Sequence, residues 1–71
     1  MNESELQAKL GERIRTVRMK RSMTQNDLAM ACDFEKASMS RIESGQSNPT
    51  VRTLYRICVA LEISVSELFE D

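Results

Sequence analysis

Apolar residues recur every three to four positions through Leu6, Leu10, Ile14 and Val17, which predicts a first helix over 4–20 with Arg13, Arg15 and Lys20 facing water. A hydroxyl three residues ahead of an acid, Thr24 then Asp27, marks the N-cap of a second helix ending near Ala31. Asp33 falls where the chain must turn sharply, and a short polar side chain tolerates left-handed backbone better than most non-glycine residues. A third helix is expected from Glu35 to Ser44, with Met39 and Ile42 turned inward and Gly45 stopping it. Gln46 to Pro49 read as a loop. Thr50 then caps a fourth helix whose apolar stripe is Val51, Leu54, Ile57, Cys58 and Leu61. Ser64 and Glu67 form another capping box, opening a short fifth helix with Leu68 and Phe69. The pattern predicts a compact all-α, five-helix bundle without repeats, low-complexity segments or linkers.

Length and composition narrow this further. At 71 residues the chain is expected to be one domain, 1–71, with a thin core and no second domain. With 41% hydrophobic residues, 4% aromatic and no Trp, the core must come from Leu, Ile, Val, Met and Ala on amphipathic helices. Cys32 and Cys58 lack CxxC spacing and the chain has no His, so neither a zinc site nor a redox motif is supported, and both are read as reduced, structural thiols. No apolar run approaches the roughly 18 residues of a membrane helix, and the start MNESELQAKLGE lacks the order of a signal peptide. The expected location is the cytoplasm.

A net charge of −1 conceals a polarised chain. From Leu6 to Leu61 ten basic residues face five acidic ones (Glu12, Asp27, Asp33, Glu35, Glu43), a local balance of +5, whereas Glu62, Glu67, Glu70 and Asp71 gather in the last ten residues.

Within the basic part, Thr24 to Glu43 read as two short helices joined by a tight turn, the spacing of a helix-turn-helix at about 24–44. Taken singly, each cap and glycine fits a generic helical bundle. The combination does not: Ala29 is small where two helices must cross, the turn follows four positions later, and then comes an outward face of Lys36, Ala37, Ser38, Ser40 and Arg41 over a buried Met39 and Ile42. A bundle gains nothing from short side chains and two long cations on one face; a DNA groove does.

The stretches Thr24-Gln25-x-x-Leu28-Ala29, Ser40-Arg41-Ile42-Glu43-x-Gly45, Asn48-Pro49-Thr50 and Ser66-Glu67-Leu68-Phe69 together resemble the helix-turn-helix domain of the phage repressor and Cro family, over about Leu10 to Glu70. Each piece alone is weak; the combination is specific. The resemblance implies a five-helix, repressor-like transcriptional regulator, bacterial or phage and nucleoid-associated, that binds operator DNA as a two-fold dimer. Lacking a sensor domain, the chain also resembles the short stand-alone members, among them the controller proteins of restriction-modification systems, which share the Leu-Glu-x-Ser of Leu61 to Ser64. Two departures stand out: many members have glycine where this chain has Asp33 and Glu62.

On this placement the recognition helix reads bases through Glu35, Lys36, Ala37, Ser38 and Arg41. Arg41 suits a bidentate pair with guanine, Lys36 suits guanine or a phosphate, Ala37 offers a methyl to thymine, and Ser38 reaches base or phosphate. Glu35 is read as the helix cap before a cytosine contact. Backbone phosphates are assigned to Thr24, Gln25, Ser40, Ser44, Gln46, Ser47, Asn48 and Arg52, with Asn48 equally able to stabilise its own loop. The resemblance further implies that Gln25 clamps a phosphate while touching the recognition helix, and that Arg18 pairs with Glu43 as a structural ion pair. Tyr55, Val59, Ile63, Val65 and Phe69 offer more apolar area than so short a chain can hide, and are read as the dimer interface.

The expected partners are thus a double-stranded DNA operator and a second copy of the chain, with RNA polymerase added only for an activator. No membrane, small-molecule ligand, metal or cofactor is expected. An antitoxin-like protein that masks a partner and represses its own promoter is the alternative. An enzyme is disfavoured: there is no His, nucleophile elbow or phosphate loop.

Overall fold

The computed structural model describes residues 1–69; Glu70 and Asp71, the end of the acidic run, lie outside the described residues. Four α-helices, α1 (Glu3–Lys20), α2 (Gln25–Ala31), α3 (Lys36–Glu43) and α4 (Val51–Leu61), precede a 3₁₀ helix, Val65–Phe69. No strand occurs among the described residues. The fifth helix of the sequence reading is this 3₁₀ segment. It has one buried anchor, Leu68, too little to propagate an α-helix over five residues. The Glu67 carboxylate accepts from the Ser64 N–H at 2.8 Å, and Arg13 Nε donates to the Glu67 carbonyl at 3.0 Å, fastening the segment to α1.

The core draws on every element: Leu10, Ile14 and Val17 from α1, Leu28 and Ala29 from α2, Met39 and Ile42 from α3, Leu54, Ile57, Cys58 and Leu61 from α4, with Cys32 and Leu68. Two residues assigned to apolar stripes lie outside it. Leu6, in the second turn of α1, is 44% exposed, and Val51, the first residue of α4, is 80% exposed. Both sit near helix starts, where the inward stripe has run past its packing partners. Both cysteines are free and buried. Burial raises each thiol above its ordinary pKa, with the Glu67 charge adding to the effect at Cys58, so both stay protonated.

Three helices start on side-chain caps. Asn2 accepts from the Glu5 N–H at 2.8 Å, Thr24 from Asp27 at 3.0 Å and Thr50 from Thr53 at 3.1 Å. At Thr24 the box is complete, since Asp27 Oδ2 accepts from the Thr24 N–H at 2.8 Å. That backbone bond, and after it the Thr24 hydroxyl, hold the Asp27 carboxyl below its ordinary pKa.

The four helices end alike. In each, a left-handed residue lets the next N–H reach back five residues: Met23 to the Arg18 carbonyl (3.2 Å), Phe34 to Ala29 (2.8 Å), Gln46 to Arg41 (2.9 Å) and Ile63 to Cys58 (3.0 Å). The left-handed residues are Ser22 (φ 56°), Asp33 (φ 60°), Gly45 (φ 78°) and Glu62 (φ 59°), so one of four is glycine. Relief of that strain outweighs the extra freedom glycine gives the unfolded chain, so Asp33→Gly is expected to raise stability by up to about 1 kcal/mol, read from chemical denaturation. A clear loss would mean that the Asp33 side chain holds the turn in another way.

Candidate nucleic-acid interface

α3 forms a ridge. Met39 and Ile42 anchor its inner side, 0% and 6% exposed, and this fixes its rotation. Lys36, Ala37, Ser40 and Arg41 are then exposed and Ser38 is half-buried. A polar cleft borders the ridge on each side. One is lined by Arg15 of α1, Thr24, Gln25 and Asn26 of the α2 start, and Lys36, Ser40 and Ser44. The other is lined by Phe34, Ser38, Arg41, Ser47, Asn48, Pro49 and Thr50. Gln46 and Arg52 are exposed beyond both clefts.

Glu35 occupies the N-cap position of α3 but its side chain makes no cap hydrogen bond. The cap reading is corrected in that respect. Glutamate is not among the short side chains that reach the first N–H groups of their own helix, as those of Ser, Thr, Asp and Asn do. Its carboxylate stays exposed at the start of the ridge.

The far end of α3 is clamped against α1. Arg18 Nε donates to Glu43 Oε2 at 2.7 Å and its Nη2 to Glu43 Oε1 at 3.0 Å, a bidentate pair. Its Nη1 donates to the Met23 carbonyl at 2.8 Å. Gln25 Nε2 donates to the same Glu43 Oε1 at 3.2 Å, so one carboxylate joins α1, α2 and α3. No buried side-chain polar atom among the described residues lacks a partner.

Gly11, in the middle of α1, makes the approach possible. A Cβ there would lie against the Ile42 carbonyl oxygen and 2.5 Å from that of Glu43. The sequence reading passed over this residue, although a glycine inside a strongly periodic helix is itself a signal of close packing. Gly11, Arg15 and Arg18 stand at i, i+4 and i+7, so one face of α1 meets α3.

The helix-turn-helix domain family matches residues 9–69. The chain belongs to that family. Among its relatives, the HTH-type transcriptional regulator SlrR of Bacillus subtilis is 34% identical over 62 residues, 86% of this chain and 41% of SlrR. The control protein C.MunI of Mycoplasma sp is 28% identical over 69 residues, 96% of this chain and 93% of that protein. The crystal structure of the restriction-modification controller protein C.AhdI from Aeromonas hydrophila superposes with a TM-score of 0.87 at 29% identity, covering 92% of this chain and 97% of that one. This helix-turn-helix chain therefore spans less than half of SlrR and nearly all of two control proteins.

On the remaining surface, Tyr55 (62%), Val59 (59%), Val65 (39%) and Phe69 (51%) are exposed, while Ile63 is half-buried and packs on the core. Among the described residues no helix is long and apolar enough to cross a membrane, and no group of His, Cys, Asp or Glu is arranged to hold a metal ion.

Proposed function

We propose that this regulator binds a palindromic operator as a homodimer, each protomer laying α3 in the major groove, and that it controls its own operon or a restriction-modification operon. The observation that carries the reading is the ridge itself: Lys36, Ala37 and Arg41 outward, Met39 and Ile42 buried beneath them, and the helix end locked through Glu43. Arg41 is the guanine reader, and Ala37, Ser38 and Glu35 complete the base-facing set. Thr24, Gln25, Ser40, Ser44, Gln46, Ser47, Asn48 and Arg52 meet phosphates on either side of the groove. The exposed apolar end, Tyr55, Val59, Val65 and Phe69 with Ile63 behind, supports a two-fold contact that sets the two recognition helices about 34 Å apart. The controller role rests on the length and likeness shared with C.MunI and C.AhdI. The site of action is the cytoplasm.

Footprinting on the DNA upstream of the protein's own gene is expected to show a protected inverted repeat. Absence of protection at low salt would reject the reading. Arg41→Ala is expected to relax preference at one base pair per half-site, a loss of about 1–3 kcal/mol of discrimination, checked by competition with operator variants. An unchanged preference removes Arg41 from the readout.

A further inference from the structure

The cleft between α1, α2 and α3 contains more positive charge than the fold uses. Of the arginines on α1 and at its C-cap, Arg13 donates to the Glu67 carbonyl, Arg18 to Glu43 and Met23, and Arg21 to the Glu62 carbonyl. Arg15 engages no hydrogen bond or ion pair among the described residues, and neither does the Lys36 side chain. Both line the same cleft. The one carboxylate in it, Glu43, is already neutralised by the bidentate Arg18 and further held by Gln25. Two cations therefore face a shared space in which no negative group answers them, with the hydroxyls of Thr24, Ser40 and Ser44 around its wall. The cleft measures about 370 Å³ and is open to solvent.

We infer that Arg15 and Lys36 together seat one phosphodiester of the DNA strand bordering the major groove, so that Lys36 acts through the backbone and base reading falls to the residues on the α3 crest. The inference rests on the proposed DNA reading. Its physical basis is position. Lys36 stands at the first turn of α3, on the flank where α1 and α2 converge, while Arg41 lines the opposite cleft beside Ser47 and Asn48. With α3 in the groove, the space against that flank is where a strand's backbone runs, and a base edge lies ahead of the crest. A phosphate also matches the donors present: a guanidinium, an ammonium and hydroxyls, with no acceptor left uncompensated.

The test compares salt dependence and base preference for Arg15→Gln and Lys36→Gln on the operator and on a scrambled duplex. Each substitution is expected to weaken both duplexes by the same factor, about tenfold, the size of one charge-assisted hydrogen bond. Each should also flatten the slope of log K against log salt by about 0.9 per protomer. Arg15→Lys, which keeps the charge, should restore the slope. An unchanged slope in Arg15→Gln, or a changed preference at one base pair in Lys36→Gln, overturns the inference. So does stabilisation of the wild type alone by inorganic phosphate with no change in DNA slope, which would make the seat one for free phosphate. Failure of the underlying DNA reading looks different: the unsubstituted protein would then show no preference for the operator over the scrambled duplex.

Discussion

Arg18→Ala is expected to destabilise the domain by about 3 kcal/mol or more, a large share of the stability of so short a chain. The reason is the carboxylate left behind. The Glu43 side chain is 3% exposed and that of Arg18 11%, so truncation strands a buried charge with one remaining partner, the Gln25 amide. Replacing both partners with apolar residues of similar volume should cost far less than either single change. A double-mutant cycle read by denaturant unfolding checks this. Additive losses would mean that the pair holds nothing in common.

The second large effect is expected from Gly11→Ala. In an ordinary helix interior the change would stabilise by about 1 kcal/mol. Here the new methyl meets the Ile42 and Glu43 carbonyls, and these are backbone atoms that cannot rotate aside. Relief requires α1 and α3 to separate, and the expected net loss is about 2 kcal/mol, read from thermal unfolding. Separation also lengthens the Arg18 to Glu43 bonds and shifts α3, so operator affinity should fall along with the melting temperature. A more stable variant with unaltered affinity would show that the two helices yield freely.

Much of the fold was written in local pattern. Thr24 with Asp27, and Thr50 ahead of its apolar stripe, mark helix starts because a cap needs only a hydroxyl or carboxylate within three residues of the N–H it serves. The rotation of α3 was legible from Met39 and Ile42, whose spacing leaves Lys36, Ala37 and Arg41 outward. What escaped depends on elements distant in sequence. Gly11 reads as a flaw in α1 until α3 is laid across it. Arg13 and Arg21 look like solvated charges, yet they donate to carbonyls 54 and 41 residues away. Ser22 gave no sign of its positive φ, since serine is ordinary in any turn, whereas Asp33 and Glu62 stood out beside the glycines of the family they resemble. The Arg15 cleft belongs to the same class: its lining comes from three helices, and periodicity along one of them describes only a single wall.

Three arginines, Arg13 and Arg18 of α1 and Arg21 at its C-cap, reach other elements, with a consequence for motion. They fasten α1 to the end of α3, to the end of α4 and to the terminal 3₁₀ helix. Local opening of any of these ends has to release a guanidinium as well as its own packing. α3 should therefore loosen only when the whole domain opens, so its amides should exchange with solvent at the rate set by global unfolding, and under the proposed function the energy of meeting DNA need not go into ordering the helix that meets it.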